Sequence, residues 1–239
     1  MNAGFNGLHP AQRQAAEHNF GPLLILAGAG TGKTRVVTTR IAGMLYNGIP
    51  GKQVLAVTFT NKAAVEMRER VDSMVENKMA EEVMLCTFHS LCVRILRTCI
   101  ERLGYKKNFS IFTQSDQMGI IKQILVRKAG KDENINPYAI QSQISNAKNT
   151  GQPVSEDKNS LIYDVYKTYQ EELKAFNAVD FDDLIILAVK ALKENDDIRE
   201  AWRKRFRFVR VDEFQDTNNL QMELLQQIVN DEHNICVVG

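Results

Sequence analysis

A glycine-rich stretch has residue types and spacing that suit phosphate binding. Residues 27–34 read Ala-Gly-Ala-Gly-Thr-Gly-Lys-Thr, between an apolar run at 23–26 and a helix-forming run at 35–41. Glycines let backbone N–H groups turn towards an anion, and the start of a helix adds further N–H groups. Lys33 could then reach the β- and γ-phosphates, and the Thr34 hydroxyl could ligate Mg²⁺. The predicted nucleoside triphosphate site consists of Ala27, Gly28, Ala29, Gly30, Thr31, Gly32, Lys33 and Thr34.

One alternative to that site is a glycine-rich loop that holds no ligand. It stays open because the first motif position is Ala27 rather than glycine. The position of the stretch, after a strand pattern and before a helix pattern, favours the phosphate site.

A second chemical feature is the acidic pair Asp212 and Glu213, which follows an alternating strand pattern at 206–211. Asp212 would belong to the magnesium shell. Glu213 could orient and deprotonate the water that attacks the γ-phosphate. Such a pair alone more often forms a capped turn, but the glycine-rich stretch favours the catalytic interpretation. The alternation before it predicts a strand with one less buried face.

The elements around these features predict a parallel sheet. Residues 23–26 are predicted to be a buried strand, 36–45 a helix and 54–59 a second buried strand, which implies parallel pairing. Further strands are predicted at 83–87 and 235–239. Ligands of such sheets bind beyond the carboxyl ends of the strands. The side chains at two of these ends are therefore binding candidates: Thr58, Phe59, Thr60, Asn61, Phe88 and His89.

Composition excludes some classes of protein. The 239 residues carry a net charge of +1, so any nucleic-acid surface must be local rather than spread over the chain. The four cysteines show no Cys-x-x-Cys spacing, and we expect no zinc site. No apolar run approaches the ~18 residues of a membrane helix, and no signal-peptide pattern is seen. We therefore expect a cytoplasmic protein without a membrane partner.

The segment before the acidic pair changes character. Apolar residues recur at helical spacing, as at 161–176, whereas only 109–112 shows a strand pattern. We predict a mostly helical insertion at 105–178 within an α/β core made of residues 1–104 and 179–239. Acidic residues at 180–183 then begin a helix, for which capping is the preferred role.

Five segments together resemble the superfamily 1A DNA helicases of the UvrD/Rep/PcrA type. They are Ala-Gly-Ala-Gly-Thr-Gly-Lys-Thr-Arg (27–35), Ala-Val-Thr-Phe-Thr-Asn-Lys-Ala-Ala (56–64), Thr-Phe-His-Ser (87–90), Asp-Phe-Asp-Asp-Leu (180–184) and Val-Asp-Glu-Phe-Gln-Asp-Thr (211–217). The resemblance spans nearly the whole chain. It implies a P-loop NTPase (RecA-like) fold with a helical insertion, and a motor that moves 3′ to 5′ along one DNA strand and unwinds duplex.

The resemblance also implies roles for single residues. Gln12 matches the family's adenine-reading glutamine and Arg35 the arginine that packs against the base, although Gln12 alone would be read as a surface residue. Phe59 could stack on any base, with a place in the core as its alternative. The predicted set that binds single-stranded DNA is Thr58, Phe59, Thr60, Asn61, Phe88 and His89. The predicted catalytic set is Lys33, Asp212, Glu213 and Gln215, and the predicted cofactors are ATP and Mg²⁺, with Thr34 and Asp212 as metal ligands.

The sequence departs from the family pattern at two points. His9 stands where relatives often carry Asn. The sequence also stops at Gly239, before the family's Asp-x-x-Gln stretch and the second RecA-like domain with its arginine fingers. Such an arginine is worth about 10³–10⁵-fold in phosphoryl transfer. We therefore expect a fragment, nearly inactive alone, whose partners are single-stranded DNA, single-strand/duplex junctions and the missing C-terminal motor domain.

Two functions from different classes fit these motifs. The first is the N-terminal ATP-binding motor domain of an ATP-dependent 3′–5′ DNA helicase. The second is an ATP-gated module that binds or moves along single-stranded DNA without unwinding, because a bound nucleotide can shift a domain equilibrium. A P-loop kinase or GTPase is disfavoured, since no guanine motif or phosphate-acceptor site is seen. A strand-displacement assay separates the first two.

Overall fold

The fold is given by a computed structural model that describes residues 7–28, 30–75, 77–128 and 135–239. These residues form two compact units. The first comprises the described parts of Met1–Leu91 and Asn195–Gly239, and the second those of Cys92–Glu194. The second unit is wider than the insertion expected at 105–178, and those expected boundaries stay a prediction.

The described residues contain seven strands and eleven α-helices. The strands are β1 Leu23–Ile25, β2 Val54–Thr58, β3 Met84–Thr87, β4 Ser110–Ile111, β5 Ala178–Val179, β6 Phe208–Val211 and β7 Ile235–Val238. The helices are α1 Pro10–Glu17, α2 Lys33–Tyr46, α3 Asn61–Met74, α4 Asn77–Glu81, α5 Phe88–Cys99, α6 Gln114–Lys128, α7 Pro137–Thr150, α8 Leu161–Ala175, α9 Phe181–Glu194, α10 Asp196–Arg205 and α11 Asn219–Ile228. In the part of the chain that the structure describes, no helix is long and apolar enough to cross a membrane.

A five-stranded parallel sheet is the centre of the first unit. Its strand order is β1-β7-β6-β2-β3, and each neighbouring pair is parallel. The buried stripe of α2, which includes Val37 and Ile41, packs with Val54 and Phe208 of the sheet in one apolar core. The expected α/β fold, a parallel sheet flanked by helices, is therefore confirmed.

The expected burial of two strands was wrong. β1 was expected to be buried, but it lies at the edge of the sheet, and Leu24 and Leu26 are 57% and 78% exposed. β6 was expected to have one less buried face, but all four of its residues are buried. Its position between β7 and β2 explains the difference, because a central strand is covered on both faces and paired on both edges.

The second unit is mostly helical. Apolar residues of α6, α7 and α8 form its core, with Ile121, Ile144 and Tyr169 among its buried members. β4 and β5 form a two-stranded parallel ladder in the same unit. The sequence patterns indicated β4 but missed β5, which has only two residues and lies directly before α9.

Candidate nucleotide site and strand-binding loops

The glycine-rich loop connects β1 to α2 at the carboxyl edge of the sheet. Gly30 and Gly32 have φ values of 76° and 88°, a left-handed conformation that glycine adopts without strain. Both the N–H and the hydroxyl of Thr31 donate to Gly28 O, at 3.4 and 2.7 Å. The loop is tied to the end of β7 by a bond from Ala27 N to Gly239 O (2.9 Å). Ala29 lies outside the described residues, so its predicted role has no structural counterpart here.

The loop and the acidic pair meet at this edge. The Thr34 hydroxyl donates to Asp212 Oδ2 at 3.1 Å, although the two residues are 178 positions apart. Lys33 Nζ lies 3.0 Å from Glu213 Oε2. The same Glu213 oxygen accepts a hydrogen bond of 2.6 Å from Gln215 Nε2. All the predicted catalytic and metal-binding residues are thus in one place.

The two carboxyl groups of the pair have opposite environments. Asp212 is buried, and burial raises its pKa, although the hydrogen bond from Thr34 opposes this effect. Glu213 is more exposed than Asp212. Its pKa is lowered by hydrogen bonds from Gln215, which has the larger effect, and from Lys33. Glu213 also has a positive φ of 53°, rare for a residue with a side chain. The pair therefore combines an enclosed carboxylate with an accessible one that is held in a fixed place.

The residues at the site fit magnesium. The Thr34 hydroxyl and the Asp212 carboxylate offer the hard oxygen ligands that Mg²⁺ prefers. Asp212 Oδ1 is buried and has no hydrogen-bond partner among the described residues, so one acceptor is left for an ion or its water. No group of three or more His, Cys, Asp or Glu residues suited to a metal is found in the described ranges. A magnesium ion here would thus take its other ligands from phosphates and water.

Gln12 and Arg35, predicted to contact the base, lie beside the loop. The Gln12 side chain accepts from His9 N (2.9 Å) and donates to Thr31 O (2.8 Å). It therefore links α1 to the phosphate loop, and these two bonds leave one N–H and one oxygen lone pair of its amide unused. Arg35 is exposed, and its guanidinium lies so close to Gly7 that a Cβ there would approach Nη2 to 3.0 Å.

The loop after β2 presents only some of its predicted DNA contacts at the surface. Thr58 is 1% exposed, so its hydroxyl is enclosed. Phe59 is half-buried, and Asn61 is exposed. Thr60 is exposed and caps α3 by accepting a bond of 3.1 Å from Ala63 N. A surface role at this loop would therefore fall first to Phe59 and Asn61.

The loop after β3 packs against the loop after β2. Phe88 is buried, and its ring meets that of Phe59 edge-on with 5.4 Å between the centroids. His89 is half-buried. The buried Phe88 ring thus packs against the Phe59 ring. The accessible rings of the two loops are therefore those of Phe59 and His89.

Sequence reasoning missed two buried arginines in the same unit. Arg40 of α2 donates to Ala15 O (2.7 Å), and Arg210 of β6 donates to Val209 O and Asn234 O (2.8 and 3.1 Å). Burial lowers the pKa of both, and Arg40 further lowers that of Arg210. The available signal was helical spacing, since Arg40 lies four residues before Met44 on the apolar stripe of α2.

The motifs and the geometry agree with a match to known proteins. Residues 8–239 match the family model of the UvrD/REP helicase N-terminal domain. The chain belongs to this family. It is 41% identical over 246 residues to the ATP-dependent DNA helicase PcrA of Bacillus subtilis, and that alignment covers 100% of this chain and 33% of the relative. The PcrA proteins of Staphylococcus aureus and Staphylococcus epidermidis are 40% and 39% identical over the whole chain and 34% of their own length. The chain thus spans about a third of the length of the curated relatives it matches.

Proposed function

We propose that this chain is the N-terminal ATP-binding motor domain of an ATP-dependent DNA helicase that moves 3′ to 5′ on single-stranded DNA. One observation carries the proposal. Lys33 and Thr34 of the glycine-rich loop contact Glu213 and Asp212, which come from the far end of the sequence. Family membership and the PcrA relatives support the same function. DNA as the substrate also fits a place in the cytoplasm.

The side chains of the site can divide the work of ATP hydrolysis. Bound magnesium would neutralise phosphate charge, with Thr34 and Asp212 as its protein ligands. Lys33 would exchange its ion pair with Glu213 for the β- and γ-phosphates. Glu213, still held by Gln215, could then orient a water molecule and take its proton. Gln12 and Arg35, which lie beside the loop, would hold the base.

The loops after β2 and β3 would carry the DNA strand. Phe59 and His89 are accessible rings at that edge of the sheet, and stacking on an aromatic ring does not depend on base sequence. Turnover would also need charge stabilisation from an arginine of a second motor domain. We therefore expect the 239-residue chain alone to bind nucleotide and strand weakly and to hydrolyse ATP very slowly.

Two substitutions test the nucleotide site. Lys33→Ala removes the phosphate-binding charge and should weaken binding of a fluorescent ATP analogue by the chain by more than about tenfold, since charge-assisted hydrogen bonds are lost. Glu213→Gln keeps the size of the side chain, so we expect that affinity to stay within about threefold of the wild-type value. Within a protein that has both motor domains, each substitution should abolish DNA-stimulated ATP hydrolysis. Unchanged turnover in both variants would contradict the proposal.

A strand-displacement assay on a tailed duplex then decides between the helicase and a translocating module. Displacement from a 3′ tail supports the helicase and its polarity. DNA-stimulated hydrolysis without displacement would instead favour an ATP-gated module that binds or moves along single strands.

A further inference from the structure

Three buried side-chain oxygens of the first unit have no hydrogen-bond partner among the described residues. They are Thr58 Oγ1, Asp212 Oδ1 and Thr217 Oγ1. A buried polar atom without a partner is costly and needs an explanation. At position 58, valine would fill nearly the same volume without that cost. The Thr58 hydroxyl, on a side chain that is almost wholly enclosed, therefore calls for a role other than packing.

Thr58 and Asp212 are neighbours across two strands. Val57 of β2 pairs in register with Val211 of β6, and Asp212 N donates to Val57 O at 3.0 Å. The next residue on each strand is therefore Thr58 beside Asp212, and both side chains point to the same face. Neighbouring strands are about 4.8 Å apart, so two orphan oxygens belong to adjoining side chains.

The same row of the sheet continues to β3, where Thr58 pairs with Thr87. The Thr87 hydroxyl is in use, because it donates to Ser90 Oγ (3.0 Å) and accepts from Ser90 N (3.2 Å) at the start of α5. On the other side, Asp212 Oδ2 accepts the bond from Thr34. Only the central atoms of the row, Thr58 Oγ1 and Asp212 Oδ1, lack partners within the described ranges.

We propose that Thr58 is a positioning residue of the nucleotide site, whose hydroxyl holds Asp212 Oδ1 through one bridging water molecule. The inference rests on the proposed function. Carboxylates that ligate a metal are themselves oriented by hydrogen bonds, and Thr34 holds only Oδ2. Thr58 then acts on the nucleotide site, although the sequence analysis predicted that it contacts single-stranded DNA. Because Phe59 follows Thr58 directly, the same residue joins the metal-binding carboxylate to the loop proposed to carry DNA.

The test compares Thr58→Val, which removes the hydroxyl, with Thr58→Ser, which keeps it. For each chain, the dissociation constant of a fluorescent ATP analogue is measured with magnesium and with excess EDTA. In magnesium, we expect Thr58→Val to bind the analogue about tenfold more weakly than the wild type, which is the size of one hydrogen bond to a charged group. In EDTA, the two chains should have the same affinity. Thr58→Ser should stay within about threefold of the wild type. Binding of a fluorescent oligothymidylate without nucleotide should be the same in all three chains.

Several results would overturn the inference. The inference is wrong if Thr58→Val retains the full magnesium effect, or if Thr58→Ser loses as much as Thr58→Val, which assigns the effect to packing. If Thr58→Val binds the oligothymidylate more weakly and keeps the full magnesium effect, Thr58 contacts DNA instead. In each case the wild-type chain still binds magnesium-nucleotide, so the proposed function stands. A wild-type chain that does not bind nucleotide would instead contradict both the inference about Thr58 and the proposed function.

Discussion

In the second compact unit a buried lysine is enclosed by acidic partners, whereas the first unit buries two neighbouring arginines without an acidic partner among its described residues. Lys148 Nζ lies 2.6 Å from Asp180 Oδ2 and 2.8 Å from Asp183 Oδ1. Arg40 and Arg210 are fully buried, and their hydrogen bonds go to backbone carbonyls and a methionine sulfur. Three of their side-chain nitrogens have no hydrogen-bond partner among the described residues.

We interpret the difference as one between a cluster that serves folding and a cluster that serves binding. Burial alone would lower the pKa of Lys148, but Asp183 and Asp180 outweigh it and the pKa rises. The arginines have no such compensation, and their helix and strand lead to the phosphate site: α2 begins at Lys33, and Arg210 lies two residues before Asp212. Positive charge without an acidic partner, in a medium of low dielectric, favours an anion bound to the same unit. We therefore expect the arginine pair to contribute to nucleotide affinity rather than to stability.

The largest effect is expected for Lys148→Met. This change leaves two buried carboxylates without their cation and should lower the free energy of unfolding by about 3–5 kcal/mol. Urea unfolding followed by circular dichroism measures it. The control is Lys128→Met, which breaks a more exposed pair with Asp164 and should cost about 0–1 kcal/mol. Equal losses in the two variants would contradict a folding role for the buried cluster.

Arg210→Met should have the opposite profile. It removes a buried charge and the repulsion from Arg40, so the free energy of unfolding should stay within about 1 kcal/mol of the wild-type value or rise. The affinity for a fluorescent magnesium-nucleotide should fall by roughly threefold to tenfold, because a buried positive charge acts over a long range in a medium of low dielectric. The comparison fails if this variant is as unstable as Lys148→Met while its nucleotide affinity is unchanged.

The smallest effect is expected for Glu232→Gln. Arg207 Nε lies 2.6 Å from Glu232 Oε2, the same separation as in the buried Lys148–Asp180 pair, but both side chains are 46% exposed. Solvent screening limits such a pair to about 0–1 kcal/mol, with no change in nucleotide affinity. A loss above about 2 kcal/mol would show that separation, not burial, determines the energy of these pairs.

The sequence predicted the parts of the molecule that depend on local pattern. Residues 27–34 and the pair after β6 could be identified because phosphate binding requires given residue types at given spacings. The capping role expected for the acidic residues at 180–183 is also confirmed, since Asp183 N donates to Asp180 Oδ1 at 2.9 Å. These features are specified by neighbouring residues.

Features that depend on the sheet order could not be predicted. The burial of Arg210 follows from the position of β6 between β7 and β2, and the exposure of Leu24 from the edge position of β1. Neither position can be read from the strand itself, since an alternating or apolar run of four residues fits several places. The Lys148–Asp180 pair likewise joins residues 32 positions apart, through the packing of α7 against α9, which Asp180 directly precedes.

The left-handed backbone at Glu213 limits which substitutions can be interpreted there. A side chain in that conformation holds roughly 1–3 kcal/mol of strain, which glycine would release. Glu213→Gly would therefore release backbone strain and also remove the proposed general base. A measurement of thermal stability could not separate the release of strain from the loss of the carboxylate. Glutamine retains both the strain and the volume, so it changes only charge.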